Sequence, residues 1–153
     1  MAVRVEQAPF DPGAETNAFL AAAAGAGAAV TFTGLVRSEL GASVAFLELD
    51  CYPELAMNQI AGIVAQAVDR FGLLDAAVIH RHGRLAAGEP IVQVMALASH
   101  RQAAFAGAEF LMDYLKTDAP FWKKEISPDG SSHWVEAKTE DDAARSHWEG
   151  GGS

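Results

Sequence analysis

The chain has 153 residues, half of them hydrophobic, so it is long enough for one domain with a real core, and disorder is not expected. Its formal net charge of -9 argues against a nucleic-acid-binding surface, and its apolar stretches fall far short of the roughly 20 residues that a membrane span needs. The single cysteine, Cys51, allows no internal disulfide and the first residues lack a signal-peptide pattern, so we expect a cytoplasmic protein.

The N-terminal part of the chain predicts a strand and a helix. Residues 3–5 alternate as in a short strand. Asp11 and Pro12 are typical of a helix start, with Asp11 as the cap and Pro12 in the first helical position. The alanine-rich sequence carries this helix to about residue 24, and we interpret the following Gly25 and Gly27 as a turn that ends it.

Two strands are predicted next. Alternating side chains predict a strand over residues 28–37, in which Gly34 marks a bulge or a close approach by another group. Arg37 ends this strand, either within reach of a ligand or as an ordinary exposed arginine. Residues 44–52 predict a second strand, which we expect to be the hairpin partner of the first. Within it, Cys51 is expected to be packed rather than nucleophilic.

The middle of the chain predicts a helix and then a strand. Apolar residues at helical spacing predict an amphipathic helix over residues 55–71, ended by Gly72. Residues 76–82 predict a strand with His80 and His82 on one face, followed by turns at residues 83 and 88–90. Two histidines without a third ligand are weak support for a metal, so we predict no metal site and no bound cofactor.

A buried strand and a helix start are predicted at residues 91–102. The strand, residues 91–98, is nearly all apolar, as in a central strand that is buried on both faces. Ser99 and Gln102 form a capping-box pattern for a helix that runs to about residue 116. His100 and Arg101 then fall in its first turn, where the helix dipole disfavours cations. Either an anion such as phosphate binds there, which we favour, or both side chains turn to solvent or to local acids.

The lysines are concentrated in one stretch. Three of the four in the chain, Lys116, Lys123 and Lys124, lie within nine residues, around a proline and two large aromatics. Pro120 cannot continue a helix, so Lys116 should close one and Lys123 should lie on the segment that leaves it. The pattern indicates a small basic pocket for an anionic substrate, with amine acid–base or nucleophilic chemistry. The alternative is a helix-ending cation followed by a solvated loop.

The C-terminal part predicts three short elements. Residues 127–130 predict a turn, residues 133–138 a strand and residues 139–148 a short helix. The glycine-rich end has nothing to pack with. We therefore expect one domain over residues 1–149 and a flexible tail over residues 150–153.

The sequence resembles the large, catalytic subunit of molybdopterin synthase over residues 28–138. The segments that carry the resemblance are 30–37 (VTFTGLVR), 52–54 (YPE) with Met57, 80–83 (HRHG), 99–101 (SHR) and 112–125 (MDYLKTDAPFWKKE). The resemblance implies an α+β fold of the α/β-hammerhead type, with a mixed or antiparallel sheet and flanking helices, as a homodimer.

The resemblance implies that the protein is a sulfurtransferase. Each large subunit would bind a small ubiquitin-like sulfur carrier, in a heterotetramer. The carrier's C-terminal Gly-Gly thiocarboxylate would pass sulfur to cyclic pyranopterin monophosphate, which gives the dithiolene of molybdopterin. The competing hypothesis is a non-catalytic dimeric module that binds a ubiquitin-like tail or a small phosphate ligand, which would not need both lysines.

The resemblance also implies roles for individual residues. Lys116 and Lys123 match the two catalytic lysines. The positions that it implies for substrate binding are Phe32, Arg37, His100, Arg101, Lys124 and Lys138. Relatives often have arginine at the last of these, so Lys138 keeps the charge but loses the bidentate fork.

The predicted helix between His100 and Lys116 is too long for both ends to touch one small ligand, at roughly 22–24 Å. We therefore expect a two-fold dimer in which one chain's His100 and Arg101 meet the other chain's lysines.

Overall fold

The computed structural model of the chain describes residues 1–23, 25–37, 46–135 and 148. Within these residues, helices and strands mix in one α+β fold, as expected. Their order is β1 (Ala2–Glu6), α1 (Pro12–Ala21), β2 (Ala28–Leu35), β3 (Phe46–Asp50), α2 (Pro53–Phe71), β4 (Asp75–Arg81), β5 (Gly83–Leu85), β6 (Pro90–Ala98), α3 (Arg101–Thr117), β7 (Trp122–Ile126) and β8 (Ser132–Val135).

The first sheet is mixed and has the order β1-β4-β6-β2. β1 and β4 are parallel, and the other pairs are antiparallel. The prediction of a central strand is confirmed, because β6 lies between β4 and β2 and is buried from Val92 to Ala98. The predicted irregularity at Gly34 is also confirmed, since the register of β2 against β6 shifts between Gly34 and Leu35.

Helices cover both faces of the first sheet. The buried stripes of α2 and α3 pack with one face of β4 and β6 in the main core, which includes Ile60, Val78, Val94 and Phe110. On the opposite face, Phe19 of α1 packs against a smaller cluster that contains Ile79. Among the described helices, none is long and apolar enough to cross a membrane.

The second sheet is antiparallel, with the order β5-β3-β7-β8. The expectation that residues 44–52 form a hairpin with residues 28–37 was wrong. β2 pairs with β6, and β3 pairs with β5 and β7. The buried faces explain the difference, since Val30 of β2 packs into the main core while Leu47 and Leu49 of β3 pack in a separate cluster with Leu85.

Most of the helix ends lie at or near the residues that the local sequence predicts. Asp11 caps α1 through hydrogen bonds from the amides of Gly13 and Ala14 (3.0 and 3.4 Å), but α1 ends at Ala21, earlier than expected. Gly72 ends α2 with a φ of 64°, as predicted. The capping-box prediction at Ser99 was wrong, because His100 is the N-cap of α3 and its side chain makes no capping hydrogen bond.

Three further predictions concern the region after β4. Gly83, expected as a turn, is the first residue of the short strand β5. The turn over residues 127–130 is confirmed by a hydrogen bond from the Gly130 amide to the Ser127 carbonyl (2.9 Å). The end of the predicted strand 133–138, all of the predicted helix 139–148 except its last residue, and the tail 150–153 lie outside the described residues.

Candidate active site

The predicted site residues are divided between the two ends of α3. His100 and Arg101 begin the helix and Lys116 lies in its last turn. Fifteen steps separate Arg101 from Lys116, which corresponds to about 22 Å along the axis. The structure therefore keeps the predicted anion site and the predicted catalytic lysine apart within one chain.

Arg37 lies at the same end of the first sheet as Lys116. β2 is antiparallel to β6, so its last residue, Leu35, pairs with Pro90 at the start of β6. α3 follows β6 after a two-residue connection and packs back along it, which returns Lys116 to that end. Val36 packs in the small cluster with Leu47 and Leu49 of the second sheet. The next residue, Arg37, is exposed and therefore lies beside the junction of the two sheets.

Phe32 lies on the face of β2 that α3 covers. It follows Val30 by two residues, and in a strand such residues point to the same face. Val30 packs against the main core, whereas the ring of Phe32 remains 43% exposed. Gly34 is the next residue on this face. Its lack of a side chain lets the side chain of Val92 pack closely against it, because a Cβ at Gly34 would lie 2.6 Å from Val92 Cγ1. This part of β2 can therefore present an aromatic surface to a ligand on the face of the sheet that α3 covers.

Lys123 lies on the inward face of β7. It pairs with Leu49 of β3, which belongs to the small buried cluster with Val36. Directly paired residues in a sheet project on one face. The side chain of Lys123 therefore leaves the second sheet on the face that packs against Val36, the residue that precedes Arg37. Lys123 and Arg37 thus both adjoin the small cluster that contains Val36 and Leu49, and Lys116 lies at the same end of the first sheet.

Lys124 lies on the other face of β7, away from Lys123. Its Nζ is 3.9 Å from Glu48 Oε2 and 4.5 Å from the centre of the Trp134 ring. Lys124 lines a cavity of about 390 Å³ together with Arg84 and the turn after β7. A second cavity, of about 460 Å³, is lined by Asp50, Cys51, Tyr52, Trp122 and Trp134. Neither of these cavities is lined by Lys116 or Lys123.

Phe121, which lies between the two catalytic candidates in the sequence, stacks on His80 of β4. Their centres are 4.0 Å apart and their planes differ by 16°. The Nδ1 atom of His80 lies 2.8 Å from the carbonyl oxygen of Arg81, which can only accept, so Nδ1 carries the hydrogen. Burial, as the largest cause, lowers the pKa of His80 to about 4, and the charge of Lys116 adds to that effect. The ring is neutral at physiological pH and lies close to Lys116.

From the sequence, His80 was considered only as a weak candidate metal ligand, and its stacking on Phe121 was not predicted. The alternation of β4 places His80 on the same face as Val78, which is in the main core under α3. That periodicity was the available signal. Arg81 points to the other face, where its Nη1 bonds Glu89 Oε2 at 2.6 Å and its Nε and Nη2 donate to the Gln7 carbonyl. Arg81 therefore has a structural function.

His100 and Arg101 are exposed at the start of α3. The first turn of this helix contains no acidic residue, and the His100 side chain does not cap it. A helix N-terminus with two basic side chains and no local acid attracts an anion through backbone N–H groups and charge. The anion site therefore stays a prediction, and its two side chains lie at the end of α3 distant from Lys116.

Three further predictions concern Cys51, a metal site and Lys138. Burial, followed by the charge of Asp50, raises the pKa of the Cys51 thiol, which disfavours the thiolate that a nucleophile needs. Across the described ranges, no group of three His, Cys, Asp or Glu side chains is arranged to hold a metal. Lys138 lies outside the described residues.

Comparisons with known proteins agree with one another. A family model described as MoaE protein matches residues 5–118. The molybdopterin synthase catalytic subunit of Cereibacter sphaeroides is 54% identical over 97% of this chain and 100% of that protein. The molybdopterin biosynthesis MoaE protein of Burkholderia ambifaria has a TM-score of 0.82 at 45% identity, covering 97% of this chain and 99% of that one.

A more distant solved structure shares the fold alone. It comes from a complex of subunits 1 and 2 of molybdopterin-converting factor from Helicobacter pylori. Its TM-score is 0.73 at 23% identity, and the match covers 90% of each chain.

Proposed function

The chain belongs to the MoaE protein family, and from this premise we propose that it is the catalytic subunit of a molybdopterin synthase. The observation that carries the proposal is Lys116 in the last turn of α3, close to the buried His80 that stacks on Phe121, with Lys123 on β7 two residues after that phenylalanine. These are two of the four lysines of an acidic chain, one in the last turn of a helix and the other on the strand that follows it.

The reaction that this placement supports is sulfur transfer from an acyl carrier. The carrier's thiocarboxylate sulfur bonds to a carbon of cyclic pyranopterin monophosphate, and the carbon–oxygen bond at that carbon breaks, so that the oxygen leaves as water or, where it belongs to the cyclic phosphate, as a phosphate oxygen. Water then adds to the carrier's acyl carbon, the carbon–sulfur bond breaks, and the carrier leaves as a carboxylate. Two such transfers supply the two sulfurs of the dithiolene.

The two lysines would serve different needs of that reaction. An ammonium group stabilises the oxyanion that forms when water adds to the acyl carbon. A lysine in its neutral form can accept a proton from the pterin or from the water. Arg37 adds positive charge in the same region, which suits a phosphate-bearing substrate.

The partners follow from this reaction. We propose a small carrier subunit with a C-terminal Gly-Gly thiocarboxylate, in line with the two-subunit complex that shares the fold. We also propose a homodimer in the cytoplasm. In a two-fold dimer, the His100 and Arg101 of one chain could face the Lys116 and Lys123 of its partner, which would unite the two ends of α3 in one site.

The test is direct reconstitution. The protein is incubated with a thiocarboxylated carrier and cyclic pyranopterin monophosphate, and dithiolene formation is measured. Turnover that depends on both additions supports the proposal. Tight binding of the carrier without product would instead favour a non-catalytic binding module.

A further inference from the structure

His80 is fixed in orientation by contacts on two sides. Its imidazole is only 7% exposed, at the end of β4. The Nδ1–H donates to the Arg81 carbonyl at 2.8 Å, which sets the plane of the ring. The face of the ring stacks on Phe121 at 4.0 Å. A ring held in this way can serve as a fixed platform for whatever lies against it.

Phe121 belongs to the connection between the two lysines. The amides of Asp118 and Ala119 donate to the Tyr114 carbonyl at 2.7 and 3.2 Å, which closes α3. The Phe121 amide then donates to the Ala119 carbonyl at 2.8 Å in a tight turn around Pro120. β7 begins with the next residue. The position of Phe121 therefore determines how β7, and Lys123 with it, leaves the end of α3.

We propose that His80 is a positioning residue for the lysine pair: by stacking on Phe121 it holds the connection from α3 to β7 and fixes Lys123 relative to Lys116. This inference rests on the proposed function, because it assumes that the two lysines act together. His80 itself touches neither substrate nor reacting atoms in this scheme.

The protonation state of His80 is compatible with this role. Burial lowers its pKa to about 4, with Lys116 and His82 as the neighbouring charges that act in the same direction. A neutral imidazole can stack on an aromatic ring beside Lys116 without adding a further positive charge at the site. A permanently charged side chain in this position would oppose both the burial and the neighbouring lysine.

Two substitutions separate the stack from the hydrogen bond. His80→Phe keeps an aromatic face against Phe121 but removes the donor to the Arg81 carbonyl. His80→Asn keeps an N–H near the position of Nδ1 but removes the ring. If stacking positions the lysines, His80→Asn should lower kcat by about 10- to 100-fold, the range expected for a misplaced catalytic group, while His80→Phe stays within about 3-fold of wild type.

The matched control is Ile79→Ala. Ile79 is buried on the other face of the same strand, in the cluster under α1. Ile79→Ala should lower the Tm and leave kcat near wild type at a temperature where the protein is folded. His80→Phe should also lower the Tm, since it leaves a buried carbonyl without its donor. Activity that followed the Tm across these variants would overturn the proposal, as would wild-type kcat in His80→Asn or an equal loss in His80→Phe.

Phe121→Leu tests the same stack from its other side. It keeps an apolar side chain and removes the aromatic face, so it should lower kcat to the same extent as His80→Asn and leave the KM for the carrier within about 2-fold, because the effect is on orientation of the lysines rather than on substrate binding. Full kcat in folded Phe121→Leu would contradict the proposal even if His80→Asn failed to fold.

A readout without catalysis keeps this inference separate from the proposed function. The four lysines are reductively methylated with ¹³C-formaldehyde, which preserves their charge, and their NMR signals are assigned through Lys→Arg variants. In His80→Asn the signals of Lys116 and Lys123 should shift, while in the control Ile79→Ala they should not. Unchanged Lys116 and Lys123 signals would overturn the positioning role. Shifted signals in a protein that makes no dithiolene would reject the proposed function and leave the positioning role standing.

Discussion

Gly27 packs directly against the backbone carbonyl of Ser99, at the point where β2 begins and the connection to α3 leaves β6. The Gly27 amide donates to the Ala98 carbonyl at 3.0 Å, and a Cβ at Gly27 would overlap the Ser99 carbonyl oxygen. Since His100 and Arg101 follow at once, the backbone of Gly27 supports the candidate anion site.

Gly27→Ala should therefore destabilise the protein. The new methyl group meets backbone rather than a movable side chain, so the connection before α3 must shift, at a cost of about 1–3 kcal/mol. Chemical denaturation measures this loss. Gly62→Ala is the control: Gly62 lies in α2, a Cβ there meets nothing within 4 Å, and alanine should stabilise the helix by about 0.5–1 kcal/mol. Equal effects at both positions would contradict the close approach at Gly27.

Lys116→Ala and Lys123→Ala should each lower sulfur transfer by about 100-fold or more, as expected for loss of an acid–base group. Lys116 is exposed in the last turn of α3, so its removal should leave the Tm nearly unchanged. Lys116→Arg and Lys123→Arg are the controls, since arginine keeps the charge but cannot lose its proton. Near-normal turnover in both alanine variants would reject the catalytic assignment.

Mixing Lys116→Ala protein with Arg101→Ala protein should restore activity if the site is shared between subunits. In each mixed dimer one site carries both defects and the other is intact, so random exchange of equal amounts should give about one quarter of wild-type turnover. Incubation under conditions that permit subunit exchange, followed by the dithiolene assay, measures this. If mixing restored nothing, each site would belong to a single chain.

The stability of the protein should fall as the pH drops from about 6.5 to about 4, in part because of His80. Its pKa is lowered from the ordinary 6.5 to about 4, so in this interval the unfolded chain binds a proton that the folded protein excludes. The contribution of neutral His80 to the free energy of unfolding is fully present above pH 6.5, and about 3 kcal/mol of it is lost by pH 4. Denaturation at several pH values should show a steeper fall for wild type than for His80→Phe. The same pH dependence of unfolding in both proteins would mean that His80 titrates at its ordinary pKa in the folded state, and would contradict this prediction.

Much of the local structure could be predicted from the sequence. Asp11 with Pro12 determined where α1 begins, Gly72 determined where α2 ends, and the apolar run of β6 predicted a strand buried on both faces. These features depend on short-range sterics, backbone hydrogen bonding and periodicity, which act within a few residues. The residue types and spacing of Lys116 and Lys123 likewise indicated amine chemistry, because a cluster of lysines in an acidic chain is a local feature of the sequence.

Strand pairing and the surroundings of the site depended on the tertiary structure. Nothing local to β2 and β3 indicates that they belong to different sheets, because pairing depends on which buried face finds a matching surface far along the chain. His80 and Phe121 are about forty residues apart, so their stack arises only when β4 and the segment after α3 pack together. The sequence by itself determined the elements and the reactive groups, and the long-range packing of apolar faces decided which of those groups meet.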